Sequence, residues 1–354
     1  MYQTKITDKE AGQRFDKYLH RILPNAGNSF LYKMLRKKNI TLNDRKADGS
    51  EKIAVGDSVK IYFADETLAK FMGTADLSGS EDITFCVDKS RRKAALGPDY
   101  LDAYRKISGV HILYENDHIL LVDKPAGVLS QKAEQTDISL NEWLIGYLLN
   151  SSFMEKQELT TYKPSVCNRL DRNTSGIVLC AKSLRGAQML GELLKTRTLH
   201  KYYQLYVKGT VNTERLIEGY LHKDKKLNKV FITPIDAQMS AKTPVNADEQ
   251  AAYIKTSYKP IRVERDKTFL EVELITGKTH QIRAHLASIG HPLLGDYKYG
   301  DKGWNEEYRK KYHVRSQLLH AYKVVFPQLE EPFTDISGKT FYAELPDIFR
   351  KVSM

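Results

Sequence analysis

Five apolar residues in a row, Ile177-Val178-Leu179-Cys180-Ala181, follow directly on a polar stretch, Asn168-Arg169-Leu170-Asp171-Arg172-Asn173-Thr174-Ser175-Gly176. The apolar run predicts a strand buried in a core, and Ser175-Gly176 ends the polar loop before it. Asp171 therefore stands at the mouth of a core element, on the kind of loop that usually carries catalytic groups. Arg169 and Arg172 on either side are expected to keep its carboxylate charged, as a nucleophile or base requires. A salt-bridged loop residue is the bland reading of the same residues.

At 354 residues the chain is long for one domain, and its 41% apolar content suffices for a sizeable core. No apolar run approaches the roughly 18 residues of a membrane span, and Met1-Tyr2-Gln3-Thr4-Lys5 leads into no apolar signal region, so the expected location is the cytoplasm. Cys86, Cys167 and Cys180 are odd in number, dispersed and free of any C-x-x-C pair, which indicates neither a disulfide framework nor a zinc site. A net charge of +11 and a pI near 9.2 point toward a polyanionic partner, although a merely basic surface reads the same way.

Residues 1 to 65 form a segment with its own pattern. Phe15, Leu19 and Ile22 recur at helical spacing before Pro24, and a second helix is expected from Ser29 as N-cap, burying Phe30, Leu31, Met34 and Leu35. Residues 40–43 and 58–63 then alternate like strands, with turns at Asp48-Gly49 and Gly56-Asp57. Lys33, Arg36, Lys37, Lys38, Arg45 and Lys46 cluster between them. Residues 66 to 108 lose any sustained period and read as a linker or insertion, with a basic patch at residues 89–93 and a short helix at residues 99–106. From 109 to 354 strands such as residues 119–122, 202–207 and 268–274 alternate with helices such as residues 140–149 and 184–194. The expected fold class is α+β, with a mixed, mostly antiparallel sheet. The basic run His222 to Lys229 reads as a solvated turn.

Several residues invite a local reading. Lys124-Pro125 reads as a turn that ends a strand. Tyr203, Leu205 and Val207 share one face of their strand while Tyr202, Gln204 and Tyr206 share the other, and Tyr206 reads as a core residue. Thr279 is placed to cap a helix that closes at Gly290, with Ile282, Leu286 and Ile289 as its buried stripe and His280 and Arg283 together on another face. His280, His285 and His291 are spaced five and six apart, which does not gather ligands for a metal.

In order along residues 112 to 346, Leu113-Tyr114-Glu115-Asn116-Asp117 through Asp123-Lys124-Pro125-Ala126-Gly127-Val128, the R-L-D-x-x-T-S-G string at Asp171, the K-x-Y of Lys201-Tyr202-Tyr203, the run Gly277-Lys278-Thr279-His280-Gln281-Ile282-Arg283, and Gln317 to Pro346 resemble the RluA-type RNA pseudouridine synthases. The N-terminal segment resembles an S4-type RNA-binding module. Asn168 stands where many relatives carry histidine and Lys278 where they usually carry arginine, which bears on subfamily and RNA target more than on the reaction. The resemblance implies that uridine in structured RNA, with large-subunit ribosomal RNA as the expected substrate, is isomerised to pseudouridine without cofactor or metal by a monomer. It makes Asp171 the nucleophile, Arg283 its partner and Tyr203 the platform for the base, with Arg169 entering the space of the flipped base. Thr174, Lys278, His280 and the N-terminal Lys33, Arg36, Lys37 and Lys38 are the implied RNA-binding residues. Two other readings stay open: a non-catalytic RNA-binding factor for ribosome assembly, and a glycosidase acting on small nucleosides.

Overall fold

The computed structural model describes residues 1–7, 10–72, 99–224, 229–235 and 251–353. Cys86, the basic patch at residues 89–93 and the tip of the 222–229 run lie outside the described residues. The N-terminal part comprises β1 (Tyr2–Lys5), α1 (Phe15–Ile22), α2 (Asn28–Arg36), β2 (Ile40–Leu42), β3 (Arg45–Lys46), β4 (Ser58–Ile61) and α3 (Asp65–Met72). Its strands form an antiparallel sheet in the order β1-β4-β2-β3. Helix α1 buries Phe15, Tyr18, Leu19 and Ile22, the expected stripe plus one residue. Helix α2 starts one residue before the expected cap: Asn28 is already helical, Gly27 is the N-cap, and Ser29 makes no capping bond. Phe15, Leu19, Leu35, Ile40, Val59 and Ile61 join one core.

Both ends of the stretch read as a linker are helical. Helix α3 lays Phe71 over Phe30, with ring centroids 4.4 Å apart, and so belongs to the N-terminal core. Helix α4 (Tyr100–Lys106) packs on α5 (Leu140–Asn150) so closely that a Cβ on Gly146 would lie 2.0 Å from the Tyr100 carbonyl oxygen.

The larger sheet comprises β5 (His111–Glu115), β6 (Ile119–Lys124), β7 (Ser165–Val166), β8 (Ser175–Ala181), β9 (His200–Lys208), β10 (Arg215–Asp224), β11 (Lys229–Pro234), β12 (Ala252–Val263), β13 (Lys267–Leu274), β14 (Leu319–Val325) and β15 (Thr340–Tyr342). Its order is β11-β10-β12-β13-β9-β14-β8-β6-β5, with β15 beside β14 and β7 beside β8. The β8–β14 pair is parallel and the other pairs among the described strands are antiparallel, as expected. All seven residues of β8 are buried. Period-two alternation splits them: Val178 and Cys180 face a core shared with α5 and α7 (Gln281–Ser288), while Ile177 and Leu179 face α6 (Leu184–Thr196). Helices α8 (Lys302–Tyr312) and α9 (Asp347–Lys351) close a further cluster around Tyr206, whose ring lies 4.8 Å from that of Phe269. Tyr206 is thus a core residue. At the start of β8, Gly176 has φ +113°, and a Cβ there would lie 2.2 Å from the Ala321 carbonyl oxygen, so the β8–β14 approach requires glycine.

Candidate active site

Asp171 sits in the loop that feeds β8, and three ties hold that loop. Thr174 N–H donates to the Asp171 carbonyl at 3.0 Å, closing a tight turn. Ser130 Oγ donates to the Leu170 carbonyl at 2.9 Å and accepts its N–H at 3.0 Å. Asn168 bridges across to β8, donating to the Ile177 carbonyl and accepting the Leu179 N–H, so this departure from the family pattern is a strut of the loop. Lys124 adds a fourth tie. Its side chain is fully buried, and Nζ donates to the carbonyls of Pro125, Val128 and Arg172 at 2.9, 2.8 and 3.2 Å. Burial pulls this ammonium down to about 7. The turn expected at Lys124-Pro125 is therefore also a clamp on the Asp171 loop, which sequence reasoning missed.

The flanking arginines do not hold the carboxylate, contrary to expectation. Arg172 lies 3.9 Å from Asp137, and Arg169 is exposed at the edge of the cleft. The partner comes from 112 residues downstream: Arg283 Nη1 donates to Asp171 Oδ2 at 2.7 Å. Helix α7 delivers Arg283 to the loop from a distant part of the sequence. Arg283 is itself fixed by Asp296, which is fully buried and accepts from Nε at 2.7 Å and Nη2 at 2.9 Å. Asp296 also accepts the N–H groups of Lys298 and Tyr299. Burial would lower the Arg283 pKa, but the hydrogen bonds and charge of Asp296, with Asp171 behind them, raise it. Burial would likewise raise Asp296, and Arg283 holds it below the ordinary carboxylate value. The two signs describe one ion pair that stays charged.

Helix α7 does not begin on Thr279. Its N-cap is His280, in the left-handed region at φ +54°, without a side-chain capping bond. Gln281 orders the turn instead: its Oε1 accepts from Thr276 Oγ1 and the Lys278 N–H, and its Nε2 donates to the Lys255 carbonyl and to Thr256. His280 and Arg283 still converge, with His280 Nε2 lying 3.9 Å from Asp171 Oδ2. Burial pulls the His280 imidazole below its ordinary pKa despite the opposing charge of Asp171. The other two histidines are structural: His285 Nδ1 pairs with Thr256 at 3.0 Å and His291 Nδ1 with the Lys208 carbonyl at 3.0 Å. Among the described residues no group of three histidine, cysteine or acidic side chains could hold a metal.

Tyr203, on β9, is 5% exposed and lines the Asp171 cleft together with Thr174, Lys278 and Arg169. Burial raises its phenol pKa, and the Asp171 charge adds to this. Lys33, Arg36, Lys37 and Lys38 are carried on and just after α2, in the N-terminal part rather than in the cleft.

Residues 118–288 match the RNA pseudouridylate synthase family. The chain belongs to that family. The synthase is 28% identical to an uncharacterized RNA pseudouridine synthase of Mycoplasma genitalium over 92% of this chain and 89% of the relative. It is 27% identical to ribosomal large subunit pseudouridine synthase C of Vibrio vulnificus, with the same coverages, and 27% identical to that of Escherichia coli over 85% of this chain and 81% of the relative. In fold it is similar to human RNA pseudouridylate synthase domain containing 4, with a TM-score of 0.53 and 22% identity, covering 74% of this chain and 95% of the human one.

Sequence reasoning missed Asp296, Gln281 and Tyr299 in the synthase. A faint signal existed for the first. Gly295 has φ +78°, and a Cβ there would lie 2.2 Å from the Ser316 carbonyl oxygen, so Gly295-Asp296 marks a turn that only glycine can make.

Proposed function

We propose that this synthase isomerises uridine to pseudouridine in large-subunit ribosomal RNA and that Asp171 carries the chemistry. The observation that supports it most is the Asp171–Arg283 pair in an open cleft beside Tyr203. The names of the Vibrio and Escherichia relatives support the RNA. In the reaction the N1–C1′ bond breaks, the freed uracil turns, and C5 bonds to C1′ while C5 loses a proton and N1 gains one. Nothing is oxidised and no group is donated, so no cofactor is required.

Arg283 holds Oδ2, leaving Oδ1 as the oxygen offered to the substrate, either to attack C1′ and form a sugar ester or to take the C2′ proton and give a glycal. Both routes begin by extruding the nucleotide, which costs a few kcal/mol of unstacking. Stacking on Tyr203, worth roughly 1 to 3 kcal/mol, offsets much of that. Arg169 enters the space the base leaves. Residues 1–72 act as an S4-like module whose Lys33, Arg36, Lys37 and Lys38 meet phosphates and set register. The synthase works in the cytoplasm as a monomer.

The test uses large-subunit ribosomal RNA tritiated at uracil C5. The wild type is expected to release tritium and Asp171→Ala is not. Binding without release by the wild type would favour an RNA-binding assembly factor, and uracil freed from uridine without tritium release would favour a nucleoside glycosidase.

A further inference from the structure

The left-handed backbone of His280 is unusual for its position. The N-caps of α1, α2, α4, α5, α6 and α8 are all extended, as caps normally are, whereas His280 begins α7 at φ +54°. A residue with a Cβ is held there only where its surroundings over-determine it, and such residues gather at functional sites.

Those surroundings fix the imidazole. Tyr299 Oη accepts the Val230 N–H at 3.0 Å and lies 2.9 Å from His280 Nδ1. The hydroxyl has one proton, and Nδ1 is its acceptor among the described residues. With Nδ1 accepting that proton, the ring proton resides on Nε2. That N–H faces the cleft, 3.9 Å from Asp171 Oδ2, too far for a direct hydrogen bond and close enough for one oxygen to bridge the two.

We propose that His280 is a positioning residue that recognises the 2′-hydroxyl of the target ribose, and that Tyr299 fixes the tautomer that lets it do so. A hydroxyl accepts from Nε2–H and donates to the carboxylate at once, which a carbonyl oxygen does not. It is one bond from C2′ and two from C1′, the carbons at which Asp171 acts. Seating it in the gap places the reacting sugar carbon against Asp171 and distinguishes RNA from DNA at this nucleotide.

This inference rests on the proposed reaction, so the experiment reports on both. A hairpin carrying a uridine that the wild type modifies is made with either ribose or 2′-deoxyribose at that nucleotide, tritiated at C5, and single-turnover release is followed. Wild-type enzyme is expected to be about tenfold slower on the deoxy substrate, the order expected when a buried hydrogen-bonding group loses its partner. His280→Ala is expected to lose a similar factor on the ribose substrate and little more on the deoxy one, because each change removes the same contact. Tyr299→Phe should shrink the ribose preference, and His280→Gln, whose amide can donate, should keep part of it. The preference is a ratio within one preparation, so a smaller folded fraction does not move it. If His280→Ala is silent on both substrates, Tyr299→Phe supplies the ratio. A ribose preference preserved in these variants overturns the assignment while leaving the reaction intact. Absence of release by the wild type from every ribose substrate overturns the proposed reaction and this inference with it.

Discussion

Arg283 meets Asp171 with Nη1 alone, because Nε and Nη2 are already bound by Asp296. The guanidinium is thus aimed by a buried carboxylate before any substrate arrives, and its planar fork makes that aim possible in a way an ammonium would not. Asp296→Asn keeps the shape and removes the charge. Breaking a buried pair typically costs about 3 to 5 kcal/mol, and the remaining contact with Asp171 should hold the loss to the lower end. Urea unfolding is expected to show that loss, together with a fall of tenfold or more in tritium release. Wild-type behaviour in both assays would mean that Asp296 does not position the arginine.

Gly176 supports the site from below. Alanine there meets the Ala321 carbonyl oxygen at 2.2 Å and inherits φ +113°, and neither backbone can yield cheaply. Overpacking and strain together are expected to cost roughly 2 to 5 kcal/mol. Gly191, exposed within α6 with nothing within 4 Å of its would-be Cβ, is the control. Gly191→Ala should stabilise by up to about 1 kcal/mol through helix propensity. Thermal melts shifted in opposite directions would support both accounts, and equal shifts would refute the argument from β-strand approach.

Acid should weaken the fold through buried histidines. Burial pulls His285 and His320 from 6.5 to about 4. Between those values the unfolded chain takes up protons that the folded chain refuses, so stability falls as pH drops from 6.5 to 4 and levels off below. Asp123, pushed up to about 6 by burial, acts in the opposite sense over much of the window, against His285, His320 and also His280, which burial lowers too. His320 also bonds Ser175 at 2.8 Å, at the start of β8. A tenfold difference in proton affinity between the folded and unfolded chain is worth about 1.4 kcal/mol, so urea unfolding at pH 7 and pH 4.5 should show a drop of a few kcal/mol in the wild type. A smaller drop is expected in His320→Gln, and an equal one would assign the acid sensitivity elsewhere.

The parts of this structure legible in the sequence are those set by local periodicity. Residues 177–181 and the stripe Phe15, Leu19 and Ile22 are buried as their spacing requires, because the hydrophobic pattern and the fold ask for the same thing there. The site obeys longer-range rules. Nothing adjacent to Asp171 announces that Arg283 is its partner: of the flanking arginines, Arg172 lies by Asp137, and Arg169 lines the cleft while the carboxylate bonds Arg283. Thr279 has the chemistry of a cap, yet His280 takes that place, since Gln281 already orders the turn and the imidazole is drawn into the cleft. A buried Lys124 surrounded by carbonyls has no local signature at all.

The N-terminal module supplies the last prediction, and the structure changes how it must be cut. Ending a deletion at residue 65 would leave α3, whose Phe71 packs on Phe30, as an exposed apolar helix, so the appropriate deletion removes residues 1–72. Lys33, Arg36, Lys37 and Lys38 are set far from Asp171 in sequence and share none of its cleft, so the deletion should weaken RNA binding while slow catalysis on a short hairpin survives. Each phosphate contact contributes about 0.7 to 0.9 to the slope of log affinity against log salt. Replacing the four side chains by alanine in the full chain should therefore lower that slope by at most about 3 to 4, read from filter binding across a potassium chloride series. A slope unchanged by both the deletion and the quadruple substitution would show that phosphate affinity comes from the catalytic domain alone.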